Sequence, residues 1–251
     1  MRSVDMRSCS TLLAIVIALA CAAPAGALGR TGRPPVTRGT VILVPGTGWH
    51  GTTTAGKQAM YNHAGVALAR AGLRVVVVDY PAGAAPGLAA VESAVLAQRR
   101  VARGPLCLYG ASSGGHLALL AAEELGGIDC IATFAAPTDF HLWAHDAALA
   151  PQSGFAYAMA ALVMPLFGAD PAGWVRWEPV TRASELSPSL LMMTTADDAI
   201  VPLDQILPGA ETYVAPPGPI PFGHGTTTAA GRDEVRSRLV EFVTRARATV
   251  S

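Results

Sequence analysis

Gly110-Ala111-Ser112-Ser113-Gly114-Gly115-His116 places a serine between glycines two positions away on either side, directly after the apolar run Pro105 to Tyr109 and directly before a helical stretch. The Gly-x-Ser-x-Gly spacing in a strand-turn-helix setting has a steric origin. A sharp turn forces the serine into a strained backbone conformation, and only small residues two places away avoid collision. The hydroxyl of Ser112 then stands exposed beneath a helix N-terminus, whose free N–H groups and dipole favour developing negative charge. Such a serine is suited to nucleophilic attack on an acyl carbon. The overlapping register Ala111-x-Ser113-x-Gly115 leaves Ser113 as a rival nucleophile, and a Gly/Ser-rich helix cap without chemistry is the plain alternative.

A serine hydroxyl is a weak nucleophile until a base accepts its proton, and the base needs a carboxylate to fix its tautomer and stabilise its charged form. After the apolar run Ser189 to Thr195 comes Ala196-Asp197-Asp198-Ala199, with two carboxylates on one loop. One of them serves equally as a turn or cap residue. Further on, Gly223-His224-Gly225 holds the only histidine downstream of that pair, just before the final helix. Its bland reading is a solvated loop histidine. The chain order Ser, Asp, His places each group at a strand or loop end. An oxyanion needs donors too: the backbone N–H of Ser113 supplies one, and Thr47 or Gly48, in the loop Pro45-Gly46-Thr47-Gly48-Trp49-His50-Gly51, supplies the second. That loop lacks the Gly-Lys-Ser/Thr of a phosphate loop.

These residues need a scaffold, and the rest of the chain describes one. Thr40 to Val44, Leu73 to Asp79, Pro105 to Tyr109, Asp129 to Ala135 and Ser189 to Thr195 are short continuous apolar runs bounded by Gly, Pro or Asp. Runs apolar on both faces suit parallel strands covered by helices on both sides. Helical stretches fall around Met60 to Ala71, Ala89 to Ala102, Ser113 to Leu125 and Arg232 to Ala246. This alternation predicts an α/β fold with a doubly wound, mostly parallel sheet, whose ligands bind at the carboxyl ends of the strands. Phe140 to Arg182 breaks the rhythm and reads as an inserted lid over one end of the sheet. Trp49, Trp143 and Met159 are the candidates for substrate contact, although Trp and Met at such positions are more often core. His141 and His145 lie four apart near Asp139 and Asp146, but no third ligand of known position accompanies them, and no metal is assigned.

Composition narrows the function classes. The chain has 251 residues, 51% hydrophobic and 14% charged, with 18 basic and 18 acidic side chains. It can bury a large core and offers no basic footprint for nucleic acid. Arg2 and Arg7, the uncharged run Leu12 to Ala23, and Ala25-Gly26-Ala27 after Pro24 read as a signal peptide over residues 1–27, cleaved after Ala27 with Ala23 and Ala25 as rival sites. An uncleaved anchor and a lipoprotein at Cys21 are the competing readings. Residues 28–251 then form a single domain that is secreted or periplasmic and has no membrane insertion of its own. Cys107 and Cys130 remain after cleavage; lying in apolar strand-like runs, they are read as buried free thiols rather than a disulfide.

VILVPGTGWHG, Val78-Asp79-Tyr80, GASSGGHLALLAA and EPVTRASELSPSLLMMTTADDAIVP together resemble the α/β-hydrolases, in particular the carboxylesterases related to hormone-sensitive lipase and the small acetyl and feruloyl esterases. The resemblance runs through most of the chain beyond residue 27. It implies ester hydrolysis through an acyl-enzyme, a small-molecule ester substrate and no cofactor, with amide hydrolysis or a non-catalytic binding role as alternatives. It also favours Asp198 over Asp197, because the acid stands three residues before the Val201-Pro202 pair. Two departures from the family pattern concern the oxyanion site. Relatives carry His-Gly-Gly-Gly-Trp where this chain has Pro45-Gly46-Thr47-Gly48-Trp49, and Ala is usual at the position of Ser113.

Overall fold

In the computed structural model, residues 39–186, 189–217, 224 and 228–249 are described. The signal-peptide reading of residues 1–27, with Cys9 and Cys21, lies outside them, as do Gly223 and Gly225. Six parallel strands form one sheet in the order β2-β1-β3-β4-β5-β6, with β1 Thr40–Val44, β2 Arg74–Val77, β3 Leu106–Ala111, β4 Cys130–Phe134, β5 Leu190–Thr195 and β6 Glu211–Ala215. The five apolar runs thus become the first five strands. The sixth was not anticipated: at the sheet edge only Ala215 is buried, so ETYVA carries no continuous apolar signal.

Strand periodicity divides the core. Val41 and Leu43 face one side of the sheet, where they meet α1 (Thr54–Met60), α2 (Val66–Arg70) and the C-terminal α8 (Ala229–Thr249) through Met60, Leu68, Leu239 and Phe242. Ile42 and Val44 face the other, against α3 (Ala84–Arg99) and α4 (Ser113–Leu125) through Leu88, Val91, Leu117 and Leu120. Full burial of such a side chain contributes about 1.5–3 kcal/mol, so the central strands, covered twice, are built almost wholly of apolar residues, with buried threonines such as Thr133 and Thr194 the small exceptions in β4 and β5. Helix α3 starts five residues earlier than the sequence suggests, since Pro86 sits in its first turn, where an amide has no intrahelical acceptor. Between β4 and β5 the chain is helical among the described residues: α5 (Phe140–Leu149), α6 (Gly154–Ala158), α7 (Met164–Phe167) and a series of tight turns to Glu185.

The strand order creates the site. From β1 the chain moves outward to β2, then returns past β1 to β3, so the loops after β1 and β3 leave the carboxyl edge in opposite directions. A crevice opens at that switch point, between the register partners Val44 and Gly110.

One expectation is corrected by the register. Cys107 and Cys130 are not free thiols; they form a disulfide, with Cα atoms 4.7 Å apart on directly paired positions of β3 and β4. Apolar surroundings suggested thiols, but in-register neighbours on adjacent strands sit at about the interstrand spacing of 4.7–4.9 Å, within reach of a bridge. With the cysteines 23 positions apart in sequence, loop-closure entropy gives the crosslink about 3 kcal/mol. The Cys107→Ala/Cys130→Ala protein is therefore expected to unfold roughly 5–10 °C below the wild type, as read by scanning calorimetry. Equal melting temperatures would show that the bridge constrains nothing.

Candidate active site

Ser112 stands between the end of β3 and the first residue of α4 with φ 51° and ψ −128°, a left-handed backbone conformation rare for a residue with a side chain. Its amide donates to the Phe134 carbonyl at 2.7 Å, which ties the turn to β4. Closeness of approach explains the flanking glycines. A Cβ on Gly114 would lie 2.2 Å from the Val44 carbonyl oxygen, and one on Gly110 would lie 2.4 Å from the Gly114 oxygen. No side chain fits at either position, so α4 can pack directly on the ends of β1 and β3.

The two serine registers are separated by their neighbours. Ser112 Oγ is 2.9 Å from His224 Nε2, whereas Ser113 is buried and its Oγ accepts the backbone N–H of Thr47 at 2.9 Å. His224 Nδ1 lies 3.0 and 3.1 Å from the two carboxylate oxygens of Asp198. Asp198 Oδ1 also accepts the backbone N–H groups of Ile200 and Val201 at 3.0 and 2.9 Å. Asp197, its neighbour, is exposed. Burial would raise the Asp198 carboxyl, but the His224 charge and hydrogen bond, together with those two amides, outweigh it and hold the group below the usual carboxylate range. Asp198 is thus ionised, His224 keeps its hydrogen on Nδ1, and Nε2 is left to accept the Ser112 hydroxyl proton. These three side chains, on loops after β3, β5 and β6, form one hydrogen-bonded relay.

The loop after β1 lies against the serine. A Cβ on Gly46 would stand 2.5 Å from the Ala111 oxygen and 2.9 Å from Ser112 Cβ. Gly48 adopts φ 62° and has the Leu162 side chain over it. At the other end of the same helical stretch, a Cβ on Gly154 would lie 2.1 Å from the Ala199 oxygen, beside Asp198. The segment between β4 and β5 therefore runs from the acid loop to the β1 loop, across the mouth of the crevice.

Trp49, Trp143 and Met159 are only 1%, 1% and 4% exposed and lie in the core cluster on the α4 side. The structure gives them packing partners in place of substrate. Trp49 donates its indole N–H to His116 Nδ1 at 3.2 Å and meets Phe167 edge to face with ring centroids 5.0 Å apart. His116, which sequence reasoning passed over, is fully buried and its Nε2–H donates to the Trp177 carbonyl at 2.6 Å. It joins α4, the β1 loop and the helical stretch. Its only sequence signal was its place four residues after Ser112, on the covered face of α4. Tyr80, at the carboxyl end of β2, was likewise missed; its hydroxyl donates to the Pro45 carbonyl at 2.5 Å.

Burial pushes the His116 imidazole down to about 4, with the Trp177 carbonyl opposing more weakly. A histidine neutral in the fold but protonated below about pH 6.5 when unfolded makes stability fall as pH drops from 6.5 towards 4. The contribution is about 3 kcal/mol at most. Urea unfolding at pH 7 and pH 4.5 is expected to show a smaller acid loss for His116→Gln than for the wild type; identical losses would show that His116 does not drive the acid destabilisation.

Asp139, His141 and Glu178 bring ligand-type atoms within 4.8 Å of one another. His145 is not among them, so the i, i+4 spacing noted in the sequence does not define this group. Glu178 Oε1 already accepts the amides of Phe140 and His141 and pairs with His141 Nδ1, while Asp139 Oδ1 caps Leu142. The arrangement closes the N-terminus of α5.

No family model and no curated protein sequence matches the chain. Solved structures do. An esterase from Pyrococcus furiosus superposes with a TM-score of 0.61 at 17% identity, covering 84% of this chain and 83% of its own. Esterase B from Lactobacillus rhamnosis gives 0.59 at 16% identity over 84% of this chain and 76% of its own. An esterase of the bacterial hormone-sensitive lipase family gives 0.56 at 19% identity, over 87% and 79%. The chain has the α/β-hydrolase fold that these esterases share.

Proposed function

We propose that the protein is a serine hydrolase that cleaves carboxylic esters of small molecules through an acyl-enzyme. The reading is carried by one observation: the relay Ser112 Oγ to His224 Nε2 at 2.9 Å and His224 Nδ1 to Asp198 at 3.0 Å, set at the carboxyl edge of the sheet. In this mechanism His224 takes the Ser112 proton as Oγ attacks the ester carbonyl carbon. Asp198 holds the imidazole in the productive tautomer and stabilises the imidazolium. The carbonyl oxygen becomes an oxyanion at the N-terminus of α4, where the Ser113 N–H and the helix dipole receive it. Collapse expels the alcohol with the proton from His224, and a water deprotonated by the same imidazole releases the acid. Side chains and backbone amides supply each of these steps. The helical stretch between β4 and β5 acts as the lid that limits the acyl chain.

Export to an oxidising compartment belongs to the same reading. The leader-like residues 1–27 and the Cys107–Cys130 bridge support it together, since disulfides persist outside the reducing cytoplasm.

The test is hydrolysis of p-nitrophenyl acetate and butyrate by the purified protein, with peptide mapping after a fluorophosphonate probe. Ester turnover with the probe on Ser112 is expected. A folded protein that neither turns over esters nor takes the probe would overturn the proposal.

A further inference from the structure

Two of the places where the sequence leaves the esterase pattern, Thr47 for Gly and Ser113 for Ala, are in contact. Thr47 donates its backbone N–H to Ser113 Oγ at 2.9 Å, although the residues are 66 apart in sequence. The Thr47 side chain is also engaged, its Oγ1 lying 2.9 Å from the Tyr80 phenol. Because that phenol spends its hydrogen on the Pro45 carbonyl at 2.5 Å, Thr47 is the donor to Tyr80. Burial raises the Tyr80 phenol above its ordinary value against the opposing hydrogen bond of Thr47, so it stays protonated and can donate. Three hydroxyls, from the β1 loop, the end of β2 and the start of α4, thus close on the segment Pro45–Thr47.

Taking the esterase reading as its basis, we infer that Ser113 is a positioning residue for the oxyanion site, its hydroxyl holding the Thr47 amide aimed at the first turn of α4. An oxyanion formed on Ser112 is received at that turn by the Ser113 N–H. Gly46 presses the β1 loop against Ser112, leaving Thr47 as the next amide directed there. In the free protein the Ser113 hydroxyl occupies this amide as a neutral acceptor. When negative charge develops on the substrate oxygen, a charged acceptor binds the N–H more strongly than a hydroxyl does, and the amide is shared with it without the loop having to move. The brace also explains how a Thr is accommodated where relatives have Gly: the hydroxyl that would otherwise face the crevice is tied to Tyr80.

The experiment compares full-length wild type, Ser113→Ala and Tyr80→Phe. Removing a whole oxyanion donor costs roughly 10²–10³ in kcat; a donor that remains but loses its direction costs less, about tenfold. Ser113→Ala is therefore expected to lower kcat for p-nitrophenyl acetate about tenfold with KM within about twofold, and to weaken binding of a trifluoromethyl ketone, a tetrahedral-adduct mimic, by the same factor. Tyr80→Phe shifts both in the same direction. Unchanged or raised kcat and ketone affinity in Ser113→Ala, or an effect confined to KM, would overturn the inference. Amide hydrogen exchange at Thr47 is read independently of activity: exchange should quicken in Ser113→Ala, and unchanged exchange would show that the hydroxyl does not hold this amide. A wild type that turns over no ester would sink the esterase reading, while the exchange experiment would still judge the brace.

Discussion

Ser112→Ala is expected to remain folded and to lose ester hydrolysis by at least about 10⁴-fold in kcat/KM, together with all fluorophosphonate labelling. The size of the loss follows from the chemistry. Without Oγ no acyl-enzyme forms, and what remains is slow direct attack by water assisted by the helix N-terminus. The fold should tolerate the change, because Ala keeps the Cβ and the backbone bond from residue 112 to Phe134. The hydroxyl's own partner is a half-buried imidazole that can turn to water. Steady-state kinetics, thermal unfolding and labelling on the same preparation check the three parts. Ser113→Ala is the control: it keeps the nucleophile, still takes the probe and loses only about tenfold. Retained turnover in Ser112→Ala would move the nucleophile elsewhere.

Asp198→Asn is expected to reduce kcat by about 10⁴ while Asp197→Asn stays within about twofold. The carboxylate accepts the hydrogen on His224 Nδ1 and the amides of Ile200 and Val201. An Asn carbonyl oxygen can still accept the two backbone amides, so the loop keeps its shape. Its NH₂ group, however, faces Nδ1 and drives the hydrogen onto Nε2, where it confronts the Ser112 hydroxyl and cannot take its proton. The variant therefore has the geometry of the relay with the wrong tautomer. Asp197 is exposed, and its replacement alters only a solvated surface. Equal activities of the two variants would show that the Asp198 contact does no work in turnover.

Much of the site was legible in sequence because its requirements are local. The glycines around Ser112 answer a turn that admits no Cβ, and β1 spans Thr40–Val44 as its apolar run does. The order of serine, acids and histidine follows from which loops reach the carboxyl edge. Other features were illegible for equally physical reasons. β6 is half bare, so its residues carry no apolar run. The disulfide needed Cys107 and Cys130 to fall opposite each other, and that depends on the parallel register of β3 and β4. Trp49 looked like a pocket aromatic until a buried histidine from α4 claimed its indole N–H.

By itself, then, the sequence determined what neighbouring residues can settle among themselves: strand and helix periods, the strained turn at Ser112, and the loops that carry Asp198 and His224. The spacing favoured Ser112 and the resemblance Asp198 over their neighbours, but only the tertiary structure brought these two to the imidazole and spent the Thr47 amide on Ser113. Those contacts join residues 112, 26 and 66 positions apart. The crossover from β2 back to β3 and the close packing of α4 on the β1 loop bring them together, and no local pattern encodes contacts at that separation.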